Sequence, residues 1–222
     1  MKINIAIDGP SAAGKSTIAD LVAKKLGYTH LDTGAMYRAV AYCANEKGID
    51  SEDEEKIVEM IREMDLDMMP DGRVILDGND ISEEIRTNEI SMGASNVSKL
   101  EGCRKALVEM QQKICESGGY ILDGRDIGTV VLKDAPVKLY MTASAESRAQ
   151  RRVLQNMEKG IEADYQQILE DIIKRDYQDM HREFSPLTKA EDAIEIDTSN
   201  ESLKQTFDRV MKIIEEKLGE KE

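Results

Sequence analysis

Gly9 and Gly14 enclose four uncharged residues, Pro10, Ser11, Ala12 and Ala13, and are followed directly by Lys15, Ser16 and Thr17. Each residue type has work to do at that spacing. The glycines let the backbone turn tightly so that a row of N–H groups faces one point, and a helix starting there adds its positive end. The lysine supplies a mobile point charge for β- and γ-phosphates, and the serine offers a hydroxyl to Mg2+. The β-branched run 3–7 ahead of the loop reads as a strand, and the stretch 17–26 behind it as a helix. A plain glycine-rich turn with an exposed lysine would need neither the flanking elements nor a charge-free loop. The pattern predicts a nucleoside triphosphate held by residues 9–17.

A second set of residues suits a second polyanion. Phosphoryl transfer leaves little covalent work for side chains, so positioning and charge neutralisation dominate. Arginine fits that work because its planar fork pairs with phosphate in bidentate fashion. Arg38 stands about one helical turn past a second strand, in Asp32-Thr33-Gly34-Ala35-Met36-Tyr37-Arg38. Arg125 stands just past a third, in Asp123-Gly124-Arg125-Asp126. Arg148, Arg151 and Arg152 are spaced by three and four, and Arg175 and Arg182 by seven, so each set shares a helix face. A solvated helix surface is the alternative for all of them, and it weighs most for Arg148. Asp123 ends a strand beside the phosphate loop, where a carboxylate can hold Mg2+ through water.

These groups need a frame that gathers strand ends. Apolar runs at 3–7, 28–31, 120–122, 137–141 and 193–196 alternate with stretches of helical period such as 17–26, 35–46 and 144–159. That alternation predicts an α/β fold, a five-stranded parallel sheet flanked by helices, in which ligands bind beyond the carboxyl ends of the strands. Residues 64–90 read differently. Pro70-Asp71-Gly72 and Asp77-Gly78 are turn chemistry between very short strands, which predicts a small antiparallel insert standing off the main sheet. The acidic run 51–55 reads as a helix N-terminus, and 202–218 as an amphipathic helix packed on the sheet.

Composition sets outer limits. The chain has 222 residues, 41% hydrophobic and 33% charged, with a net charge of −14. That charge argues against a nucleic-acid polymer or an anionic membrane as partner, but not against a phosphorylated metabolite held by a local arginine cluster. Cys43, Cys103 and Cys115 form no C-x-x-C and read as ordinary thiols in a reducing compartment. The two histidines, His30 and His181, argue against a histidine-based zinc site or relay. The chain enters its first strand without room for a signal peptide, and no apolar run approaches membrane-spanning length. The expectation is a cytoplasmic protein.

The chain resembles the bacterial cytidylate kinases, a branch of the nucleoside monophosphate kinases, over nearly its whole length. The resemblance rests on I-D-G-P-S-A-A-G-K-S-T (7–17), L-D-T-G-A-M-Y-R (31–38), I-R-T (85–87), D-G-R-D-I-G-T-V-V (123–131), R-R (151–152) and R-D-x-x-D-x-x-R-x-x-x-P-L (175–187). The phosphate loop alone would name only a superfamily; the last four are specific. The resemblance implies one phosphate-loop kinase domain over 1–222, with a nucleotide-binding insert at about 64–90 and a mobile lid at about 148–162. It also implies transfer of the γ-phosphoryl of ATP to CMP or dCMP with Mg2+.

Carried over to this chain, it implies that 9–17 hold ATP, with Ser16 and Asp123 toward the metal, and that Lys15, Arg125 and Arg152 are the catalytic cations. Arg38 and Arg125 would grip the CMP phosphate with Thr33 and Tyr37 nearby, and Ser95, Arg104 and Asp126 would read the base. Arg175 and Asp179 would face the sugar, Arg182 the phosphates or base, and Arg148, Arg151 and Arg152 would belong to the lid. An acceptor facing cytosine's amino group favours cytosine over uracil, and a site built around a substrate N–H rejects analogues lacking it. Ser16 replaces a glycine found in some relatives, and Tyr177, Gln178 and Met180 stand where some carry extra arginines. The phosphate loop and arginines would equally serve another acceptor such as UMP, AMP or shikimate. A GTP-dependent switch would need N-K-x-D, which does not occur. The expected state is a monomer.

Overall fold

Strand β1 (Ile5–Asp8) is buried along its whole length, and alternate residues serve two different cores. Ile5 and Ile7 belong to a cluster with Ile18, Val22, Leu139, Met141, Ile196, Val210 and Ile214. Ala6 faces the opposite cluster, with Leu31, Met36, Val40, Leu107 and Leu122. A strand buried on both faces has to be apolar at every position, and the two-residue side-chain period decides which core each residue joins. In the computed structural model, residues 2–158 and 160–219 are described.

Four more strands complete a parallel sheet: β2 (Thr29–Asp32), β6 (Tyr120–Gly124), β7 (Val137–Thr142) and β8 (Ile194–Asp197), in the order β2-β6-β1-β7-β8. The first core is covered by α2 (Thr33–Glu46), α3 (Glu54–Glu63), α4 (Asn88–Val97) and α5 (Glu101–Cys115). The second lies under α1 (Lys15–Leu26) and α8 (Leu203–Gly219). Helices α6 (Ala145–Glu158) and α7 (Tyr165–His181) pack against each other. The five strands, their parallel sense and the C-terminal helix agree with the sequence-based expectation.

The register brings the strand ends level. Asp8 lies beside Gly124 and Tyr140, Asp32 beside Asp123, and Thr142 beside Asp197. The segments that follow β1, β2 and β6 therefore leave the sheet along one edge.

Residues 64–90 contain the expected antiparallel sheet, formed by β3 (Leu66–Met68), β4 (Val74–Leu76) and β5 (Asn79–Asp80). Leu76 pairs with Asn79 across Asp77 and Gly78, whose φ values of 49° and 79° are the two positive angles a tight hairpin needs. The insert does not stand clear of the main body. Leu66, Val74 and Leu76 join the same core cluster as α2, because short strands cannot bury their apolar face alone. The strands end at Asp80; a 3-10 turn (Glu84–Arg86) and the start of α4 fill the rest of the interval. Asp53 caps α3 by accepting the Lys56 N–H at 3.2 Å, as the acidic run suggested.

Gly9 is held by packing as well as by its φ of 147°. A Cβ there would sit 1.9 Å from the Met141 carbonyl oxygen of β7. Since that neighbour is backbone in the middle of the sheet, Gly9→Ala is expected to cost about 3 kcal/mol. Urea unfolding checks this, and a midpoint equal to that of the parent would show that the loop can retreat freely.

Candidate active site

The loop between β1 and α1 reverses its backbone twice, at Ala12 (φ 60°) and Gly14 (φ 93°). Such alternation turns successive N–H groups inward to form an anion nest. Helix α1 then starts at Lys15 with no side-chain cap and no acidic residue in its first turn, so its positive end stays open to phosphate. Lys15 is buried, and its Nζ donates to the Pro10 carbonyl at 2.8 Å. Burial, reinforced by the charge of Arg125, pulls the Lys15 ammonium down to about 7. Behind the loop, Asp8 accepts the Ile127 and Gly128 N–H groups, each at 2.7 Å, which ties β1 to the turn after β6.

Asp123 closes β6 beside the loop. Its Oδ2 accepts from the Ser16 hydroxyl at 2.9 Å, and its Oδ1 lies 2.7 Å from His30 Nε2. Its backbone carbonyl accepts from the buried Thr33 hydroxyl at 2.8 Å.

Across the sheet edge the arginines converge. Arg125 Nε donates to Asp179 Oδ2 at 2.7 Å, and Arg38 Nη2 to Asp32 Oδ2 at 2.8 Å. Arg182 Nε donates to the Ser185 carbonyl at 2.7 Å, with its Nη1 3.9 Å from Asp179. Burial, then the positive charges of Arg125, Arg38 and Arg152, pull Arg175 down to about 10. Burial and the charge of Arg104 do the same to Arg182, also to about 10. Arg38 Nε, Arg104 Nε, Arg175 Nε and Arg182 Nη2 are buried with no hydrogen-bond partner among the described residues. Buried unpaired donors are costly, and crowded guanidinium groups repel. An anion or a ring of carbonyl oxygens placed among them would relieve both.

Beside this cluster lies a buried pair. Arg104 Nη2 meets Asp126 Oδ2 at 2.5 Å, with side chains 4% and 6% exposed. The Arg104 guanidinium also lies 5.3 Å from the centre of the Tyr37 ring and donates to the Ser98 carbonyl at 3.1 Å. The Ser95 hydroxyl lies one turn earlier on α4 and accepts from Gln178 Nε2 of α7 at 2.9 Å. Ser95 is thus bonded to α7, while the Ser98 carbonyl, one turn on, accepts from Arg104.

The family model for cytidylate kinase matches residues 5–216. A cytidylate kinase of Caldicellulosiruptor bescii is 51% identical over 215 residues, covering 96% of this chain and 95% of its own. The Bacillus subtilis cytidylate kinase is 47% identical over 219 residues, covering 97% and 98%. This chain belongs to the cytidylate kinase family. Among solved structures, a protein from Eubacterium ventriosum superposes with a TM-score of 0.53 at 13% identity, covering 96% of this chain and 99% of that one, which is a likeness of fold alone.

Two of the arginines expected in the lid are bonded to the scaffold. Arg148 is buried and grips Asp176 of α7 at 3.0 and 2.5 Å, while also donating to the Ala143 and Ser11 carbonyls. Arg151 donates to the Thr198 hydroxyl at 3.0 Å, to the Thr198 carbonyl, and to the Ala13 carbonyl at 3.4 Å. Both brace the outer side of the phosphate loop. Arg152 is exposed, and its charge reaches Arg175. Of the expected lid at 148–162, Lys159 lies outside the described residues.

Several participants escaped sequence reasoning. Asp176 was visible only as the aspartate of the R-D pair at 175–176. Thr198, Asp8 and Gln178 carry no signal of their own, because their partners lie more than 40 residues away in the chain. His30 has no second histidine to pair with; its partners are the carboxylates of Asp20 and Asp123.

Proposed function

We propose that this protein transfers the γ-phosphoryl group of ATP to CMP or dCMP, giving ADP and CDP or dCDP. The observation that carries this reading is the set of unpartnered arginine donors beside the phosphate loop, bordered by the buried Arg104–Asp126 pair. Membership of the cytidylate kinase family supports it.

In this reading Gly9, Pro10, Ser11, Ala12, Ala13, Gly14, Lys15, Ser16 and Thr17 hold the polyphosphate of ATP, and the Lys15 ammonium leaves Pro10 for the transferred group. Arg38 and Arg125 take the acceptor phosphate, with Thr33 and Tyr37 shaping its pocket. An oxygen of that phosphate attacks Pγ; the new O–Pγ bond forms as the bond to the β-phosphate breaks, and ADP carries away the electron pair. The attacking oxygen is already ionised at neutral pH, so no general base is required. The protein's share is alignment and neutralisation of charge.

Ser95, Arg104 and Asp126 read the base, Arg175 and Asp179 face the sugar, Arg182 stands toward the phosphates or base, and Arg152 approaches on the lid at about 148–162. The insert at about 64–90 supports the acceptor side. A serine hydroxyl and a carboxylate 2.9 Å apart beside the loop are hard oxygen ligands that fit Mg2+, which keeps waters and binds through substrate phosphates. Ser16 and Asp123 would hold it, and it would neutralise charge developing between the β- and γ-phosphates. Every residue in this scheme comes from one chain and its substrates are soluble nucleotides, so we infer a cytoplasmic monomer. No described helix is long and apolar enough to cross a membrane.

The test is ADP release from ATP and Mg2+ with CMP, dCMP, UMP, AMP and shikimate offered singly. Strong turnover with CMP and dCMP, weak with UMP and none with the others is expected. Turnover confined to a different acceptor would overturn the base-reading assignment while leaving the ATP site in place.

A further inference from the structure

His30 joins two elements of the phosphate site through both of its ring nitrogens. Nδ1 lies 2.6 Å from Asp20 Oδ1, and Nε2 lies 2.7 Å from Asp123 Oδ1. Asp123 in turn accepts from Ser16. Ser16 and Asp20 are four residues apart on α1 and so share one face of that helix, while His30 and Asp123 come from neighbouring strands β2 and β6. The four side chains close a loop between helix and sheet: Ser16, Asp123, His30, Asp20.

A neutral imidazole has a single N–H and can donate to only one carboxylate. Contacts of 2.6 and 2.7 Å at the two His30 nitrogens fit a ring that donates to both carboxylates. The two contacts fix the ring between Asp20 on α1 and Asp123 at the end of β6.

The consequence falls on Asp123, whose side chain is 5% exposed. Held by Ser16 alone, the carboxylate could rotate about its last torsion. With Oδ1 anchored by His30, Oδ2 stays turned toward the Ser16 hydroxyl and the mouth of the loop. We propose that His30, tethered by Asp20, is a positioning residue that orients Asp123 for the metal accompanying the nucleotide. The inference rests on the magnesium reading of Ser16 and Asp123 given above. Partners that orient a metal ligand from behind typically change metal affinity by about 10- to 100-fold when removed.

Mn2+ serves as the probe, with its binding to the full-length enzyme–ADP complex read by electron paramagnetic resonance. Binding is compared for the parent, His30→Asn, Asp20→Ala and Asp123→Asn. His30→Asn is expected to weaken Mn2+ about tenfold, and Asp20→Ala to weaken it in the same direction by less. Metal-free CMP binding should not change in Asp20→Ala, which a merely loosened fold would not allow. Unchanged or tighter Mn2+ binding in both variants overturns the inference when Asp123→Asn has lost affinity. Should Asp123→Asn itself bind Mn2+ normally, the magnesium reading falls and takes the inference with it, a result distinct from the first. If His30→Asn fails to fold, Asp20→Ala decides alone, since that carboxylate is 56% exposed.

Discussion

Lys15→Ala is expected to lower kcat by about a thousandfold, the scale of losing one fixed charge contact to the transferring group, while the fold survives. The buried lysine is a burden on the folded chain. Its ammonium titrates near 7 in place and at 10.5 when free, so the unfolded chain holds the proton more strongly. The stability cost is full below about pH 7 and is relieved as pH rises toward 10.5. Alanine removes it, so the variant should melt no lower than the parent at pH 6. The same shift predicts that ATP binding takes up a proton at pH 8 in the parent, because phosphate favours the ammonium form, and that the variant loses this uptake. Calorimetry in buffers of different ionisation enthalpy measures it. Near-normal turnover in a folded Lys15→Ala protein would sink the phosphate-loop assignment.

Asp126→Ala should produce two large effects at once. It leaves the Arg104 guanidinium buried without its carboxylate, a loss of about 3–5 kcal/mol. It also removes the acceptor proposed to read cytosine's amino group, so the ratio of kcat/KM for CMP over UMP should fall by about a hundredfold or more. Asp126→Asn separates the two effects. The amide keeps the shape and an oxygen for Arg104, but it can present a donor toward the base, so it should retain more stability and move preference toward UMP. A CMP to UMP ratio that does not change in Asp126→Asn removes Asp126 from the base-reading site and leaves it a structural partner of Arg104 alone.

Much of the fold was legible because its causes are local. The five strands, the hairpin at Asp77-Gly78 and the cap at Asp53 each follow from side-chain period or turn chemistry within a few residues. The phosphate loop was legible for the same reason, since Gly9 through Thr17 act as one continuous segment. The placement of the insert was not, because whether Leu66, Val74 and Leu76 face water or α2 depends on a core assembled from distant segments.

By itself, then, the sequence determined the phosphate loop, the strand-ending motifs at Asp32 and Asp123, and the family of the chain. It could not determine which charges meet. Arg148 and Arg151 share a helix face with Arg152, yet they are bonded to phosphate-loop carbonyls while Arg152 is exposed. His30 looked isolated among 222 residues until β2 and β6 set it against Asp123 and α1 brought Asp20. Electrostatic energy depends on separation in space and on burial, and neither is a function of separation along the chain. Only the tertiary structure fixes those distances, so only it could distinguish the arginines left with unpaired donors from those already committed to the scaffold.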